Sequence, residues 1–65
     1  MTEAIDDFEI TGAMLVYGGS FVQALGKAWR VADSDNRATL KAAFPLYWKK
    51  YAELAALKRQ QMVRP

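Results

Sequence analysis

The stretch Ser20-Phe21-Val22-Gln23-Ala24-Leu25-Gly26-Lys27-Ala28-Trp29-Arg30-Val31-Ala32 carries the spacing of an amphipathic helix. At about 100° per residue, Phe21, Val22, Leu25, Ala28, Trp29 and Ala32 fall on one face, with Gln23, Lys27 and Arg30 opposite. Ser20 followed by Gln23 matches the spacing of a capping box. The same apolar stripe runs backwards through Gly18, Met14 and Ile10, which predicts a second helix over residues 8–17. Between the two lie Gly18 and Gly19. Inside a helix, adjacent glycines cost about 2 kcal/mol relative to alanine. The chain therefore kinks or breaks here, or another backbone comes close where no Cβ intervenes. The kink or short break is the expectation. A strand over residues 14–17 has no partner strand and would not be stable alone.

Moving forward, Asp33-Ser34-Asp35-Asn36 has the polar side chains that compete with a helical backbone and favour caps. Asp33 or Asp35 should cap a short helix over residues 36–43, with Leu40 and Phe44 facing the core. Phe44-Pro45 marks the next boundary: the residue before proline is pushed out of the helical region, and proline suits the first turn of a new helix. A helix over residues 45–61 puts Phe44, Tyr47, Trp48, Tyr51, Leu54 and Ala55 on one face, with Lys49, Glu53 and Gln60 opposite. Leu46 and Leu57 leave that face and share a flank, so this helix should touch something on a second side. No repeat, linker or low-complexity segment interrupts the chain. The expected fold is all-α, a compact bundle of three to four short helices (8–17, 20–32, 36–43 and 45–61). It forms a single domain over residues 1–65, with fraying at 1–7 and 62–65.

A chain of 65 residues buries only about 60% of the surface its unfolded form exposes. Small domains usually add disulfides, a structural metal or a partner subunit, and this one has no Cys and no His. That removes disulfides, zinc-finger ligand sets, thiol nucleophiles and histidine acid–base chemistry. Three Phe, three Tyr and two Trp leave tight helix packing or self-association as a homodimer to supply the stability. Charge is unevenly spread. Glu3, Asp6, Asp7 and Glu9 meet no basic residue before position 20, while all nine Lys and Arg follow it, beside Asp33, Asp35 and Glu53. Such a split marks either a basic binding surface or two ends that attract each other. The early acids have the wrong sign for a secretory leader. The apolar run over residues 12–19 is well short of the roughly 20 residues a membrane span needs. A soluble cytoplasmic protein without a membrane partner is expected.

Residues able to carry catalysis are scarce, and the expectation is a protein that is not an enzyme and uses no cofactor or metal. Gly18-Gly19 lacks the further glycines, lysine and preceding strand of a phosphate loop. Ser20 has no histidine to activate it, and Lys27 lies on the opposite face. Asp33 and Asp35 lack the further oxygen ligands of a calcium loop. In the second half, Lys49, Lys50, Lys58 and Arg59, interleaved with Tyr47, Trp48 and Tyr51, have the look of a nucleic-acid surface with stacking rings. The wheel turns those rings towards the core, however. The short helix after Asp35 also offers only Asn36, Arg37 and Lys41 as a recognition face.

The run Tyr17-Gly18-Gly19-Ser20-Phe21-Val22, then Leu25, Ala32-Asp33, Asn36, Leu40 and Ala43-Phe44-Pro45, ending with Trp48 and Tyr51, resembles a pattern of small bacteriophage and prophage proteins. The resemblance covers residues 17–51 and carries no functional residue across, since packing accounts for each shared position. It implies a phage-encoded accessory protein that binds a host or phage protein stoichiometrically and modulates or inhibits it, in host takeover or counter-defence. On that reading the partner-binding residues are Leu46, Lys50 and Leu57, unless residues 8–17 bury the two leucines. The alternative is a small basic nucleic-acid-binding protein using Lys49, Lys50, Lys58 and Arg59. A structural part of the virion would differ from the first reading only in its partner.

Overall fold

Asp6 sets the first helix. In the computed structural model, which describes residues 5–63, its side chain accepts the Glu9 backbone N–H at 2.9 Å, and Glu9 reaches back to the Asp6 N–H. That reciprocal cap opens α1, Asp7–Tyr17. Three more helices follow: α2, Ser20–Val31; α3, Ser34–Ala43; and α4, Pro45–Val63. No strand occurs among the described residues, so the fold is an all-α bundle. Residues 1–4 and 64–65, part of the ends expected to fray, lie outside the described residues. Residues 5–7 are tied down instead, because Ile5 packs on the core, Asp6 caps and Asp7 is bonded to two other helices. At the other end the last helix continues to Val63.

The chain breaks at Gly18-Gly19, and the two glycines are there for different reasons. Neither has a positive φ. A Cβ on Gly18 would lie 2.5 Å from the Met14 carbonyl oxygen and 2.5 Å from a Val22 methyl, so only glycine fits between the end of α1 and the start of α2. A Cβ on Gly19 would meet open space. Gly19 is the N-cap of α2, which makes Ser20 the first helical residue and leaves the Ser20–Gln23 capping box unformed. Gln23 instead donates to the Gly18 carbonyl at 3.1 Å.

From this break α1 and α2 fold back as an antiparallel hairpin. Gly26 faces Thr11 and Met14, where an added Cβ would stand 3.2 Å from the Thr11 carbonyl and 3.3 Å from Met14 Cβ. The close backbone approach foreseen for a glycine therefore occurs one helix later, at Gly26. Arg30 crosses the same seam, donating to Phe8 O at 2.8 Å and Thr11 Oγ1 at 3.1 Å. Val22, Leu25 and Trp29 are buried, as their stripe implies. Ala28 and Phe21 depart from expectation: Ala28 is exposed, and Phe21 is 56% exposed. Phe21 sits at the edge of the stripe, beyond the reach of α1, and meets Phe44 and Tyr47 at ring distances of 5.7 and 5.9 Å.

α4 covers the other side of α1. Trp48, Tyr51 and Ala55 join Ile10, Ala13 and Met14 in the core. Pro45 opens α4, and the Trp48 N–H bonds to the Phe44 carbonyl as its first turn closes. α3 starts at Ser34, two residues earlier than expected, because Asp33 caps it by accepting the Asn36 N–H at 2.9 Å. No residue of α3 is fully buried, and it bridges the ends of α2 and α4. Its Arg37 caps the end of α2, donating to the Trp29 and Arg30 carbonyls at 3.0 Å each, with the guanidinium 4.1 Å above the Trp29 ring.

Gly18→Ala is expected to destabilise the protein by about 1–3 kcal/mol through the clash with Met14 and Val22. Gly19→Ala should change stability by less than about 1 kcal/mol, its lost cap offset by a stiffer unfolded chain. Denaturant titrations of the two variants followed by circular dichroism check the contrast.

Candidate partner-binding surface

The acidic start of the chain and its basic remainder meet across the bundle. Asp7 receives the Trp48 indole N–H at 3.1 Å and the Lys41 ammonium at 3.3 Å, joining α1 to α4 and α3. Arg59 donates from Nε and Nη2 to the two carboxylate oxygens of Glu9, joining α1 to the second half of α4. Of the two meanings of the charge split, mutual attraction of the ends is realised in these contacts. That use consumes several cations. Arg30 and Arg37 are bonded to backbone carbonyls, and Lys41 and Arg59 are ion-paired.

The four residues of the nucleic-acid alternative are scattered as a result. Lys49, Lys50 and Lys58 are exposed, while Arg59 is half-buried against Glu9. Successive residues lie about 100° apart on a helix, so Lys49 and Lys50 diverge, as do Lys58 and Arg59, and no single cationic stripe results. Trp48 and Tyr51 are 4% and 5% exposed and have no face free for a base. The sparse recognition face on α3 is also occupied, because Arg37 caps α2 and Lys41 holds Asp7.

Between α1 and α4 runs an open groove of ≈ 460 Å³, lined by Gly12, Ala13, Val16 and Ala55, with Glu9, Lys58 and Arg59 completing it. Two of its three charged groups already neutralise each other, and Lys58 lies 6.0 Å from the Tyr17 ring. Its walls have apolar shape but no convergent polar groups of the kind that orient a ligand. Among the described residues, no cluster of His, Cys, Asp or Glu could hold a metal ion, and no helix is long and apolar enough to cross a membrane.

The outer face of α4 is different. Leu46 is 79% exposed and Leu57 52%. α1 does not bury them, since it packs against the opposite side of α4 through Trp48, Tyr51 and Ala55. Lys50 is exposed between them. Glu53, assigned from sequence only to the polar side, lies on the same strip. At about 100° per residue, Leu46, Lys50, Glu53 and Leu57 share roughly 60° of arc. The signal for Glu53 was its place in the 46, 50, 53, 57 series, which repeats at intervals of four, three and four residues. Elsewhere Phe8, Val16, Tyr17, Phe21 and Val31 are also more than half exposed. Phe8 and Phe21 already stack on Trp29 and Phe44 respectively.

The Arg59 guanidinium hydrogen-bonded to Glu9 holds that carboxyl below its ordinary range, helped by the Asp6 N–H. A lowered folded-state pKa contributes stability above the unfolded value of about 4.3 and loses it as pH falls through the folded value. Glu9→Gln should therefore melt below the unchanged protein near neutral pH, and the two should converge in acid once Glu9 is protonated. Thermal melts across that range check it. The chain matches no known family model, no curated protein and no solved structure.

Proposed function

We propose that this chain is a stoichiometric protein-binding module without chemistry of its own. It would be a small phage-encoded accessory protein that occupies a surface on a host or phage protein and so modulates or inhibits it. The observation that carries the reading is the exposure of Leu46 and Leu57, with Lys50 between them, on the side of α4 turned away from the bundle. Five other large apolar side chains are also more than half exposed, but these two share one open strip of a single helix, which makes that strip a contact surface. Apolar anchors supply most of the energy at such interfaces, and a neighbouring cation steers the encounter. The phage setting comes from the Tyr17–Tyr51 sequence pattern alone.

The nucleic-acid alternative has less support, because its cations diverge around α4 and its rings are buried. It would require retardation of DNA or RNA that falls steeply with salt.

The test uses Leu46→Glu/Leu57→Glu. Both sites are exposed and glutamate favours helices about as well as leucine, so the fold should change by only about 0.5 kcal/mol per site. With the unchanged chain as bait, a target protein from infected-host lysate should be retained at fixed stoichiometry, and the double variant should lose it with its helical circular dichroism intact. Equal retention by both baits would refute the assignment of this face. Loss of the helical signal would mean that the leucines are structural.

A further inference from the structure

The exposed strip on α4 is a palindrome. Leu46 and Leu57 lie equally far from a point between Tyr51 and Ala52, and so do Lys50 and Glu53. Turning the helix end for end about that point exchanges leucine with leucine and lysine with glutamate. The strip is thus complementary to itself under a two-fold axis, as an isologous interface must be. We infer that the outer face of α4 takes a second copy of this chain, packed antiparallel, with Leu46 against the other copy's Leu57 and Lys50 against its Glu53. The inference rests on the reading of this face as a contact surface, and gives it a second copy of the chain as occupant in place of a host or phage protein.

Three observations support a second copy over other occupants. First, Leu46 and Glu53 lie seven residues apart, as do Lys50 and Leu57, the repeat that keeps one seam of a helix against another. Leu46 and Glu53 then stand at one kind of seam position and Lys50 and Leu57 at the other, and antiparallel helices oppose the two kinds. Second, charge selects the direction. Parallel pairing would set Lys50 against Lys50 and Glu53 against Glu53, whereas antiparallel pairing makes two opposite-charge contacts. Third, these charges are available. Neither Lys50 nor Glu53 forms an ion pair among the described residues, and the Lys50 ammonium lies 5.6 Å from the Tyr51 ring. Asp7, Glu9, Lys41 and Arg59, by contrast, are paired within the bundle. Two leucine layers flanking two ion pairs make a small interface, so the association is reversible and depends on concentration.

Charge exchange tests the pairing without touching the core. By sedimentation equilibrium, Lys50→Glu and Glu53→Lys should each weaken the dimer about tenfold, since each sets like charges opposite at two symmetric contacts. The double variant Lys50→Glu/Glu53→Lys should recover it, and the two single variants should pair with each other in preference to themselves. Direction is read separately, because the chain has no cysteine. On oxidation, a mixture of Leu46→Cys and Leu57→Cys chains should form a 46-to-57 disulfide, while either alone should give little. A single-chain mass up to the solubility limit would overturn the inference, as would 46-to-46 cross-links or double-variant affinity no better than the singles. A single-chain mass together with leucine-dependent capture of a different protein would sink the self-pairing and leave the face as a docking site. Leucines inert in both experiments would sink both readings.

Discussion

α1 has apolar side chains on nearly every side, and the rest of the fold exists to cover it. Ile10, Ala13 and Met14 are buried, and Thr11 beside them has no exposed surface. A helix of this kind cannot rest on one neighbour. It needs two, and the chain supplies them from both directions. α2 returns along one side through the Gly26 contact, and α4 closes the other through Trp48, Tyr51 and Ala55. The bundle is therefore organised around its first helix, with α3 acting as the strap that carries the chain from one cover to the other.

Polar contacts then fix the register that apolar packing leaves loose. Thr11 donates its hydroxyl to the Asp7 carbonyl and receives Arg30, so its burial leaves no hydrogen-bonding group unmet. Asp7 joins three helices within the first turn of α1, a position where the helix dipole also favours a negative charge. In a chain without cysteine or histidine, such cross-helix contacts complement the cooperativity that larger proteins draw from a bigger core.

Much of this was legible along the chain. Trp29, Trp48 and Tyr51 declare themselves by spacing, Asp33 by its place before a polar helix start, and Pro45 by the geometry it imposes. What periodicity could not supply was anything depending on which helix lies next to which. Phe21 belongs to the α2 stripe on a wheel, yet the stripe is wider than the surface α1 covers, so the ring turns to Phe44 and Tyr47. Arg37 reads as a surface cation until α3 is docked under the open carbonyls of α2. The outer face of α4 was half visible. Leu46 and Leu57 stood out as apolar residues off the core arc, but Glu53 looked like ordinary solvation until it was set beside Lys50 on one strip.

α3 is held by a cap at its start, by Arg37 and Lys41 along its length, and by no fully buried side chain. Its backbone amides should therefore open more readily than those of the α1–α2 hairpin, and local unfolding can begin there while that hairpin keeps its core. A protease acting on the native protein would meet its first susceptible bond in this segment. The two fragments it left would still be gripped by the packing of α4 on α1, so a nicked chain would migrate as one species until denatured.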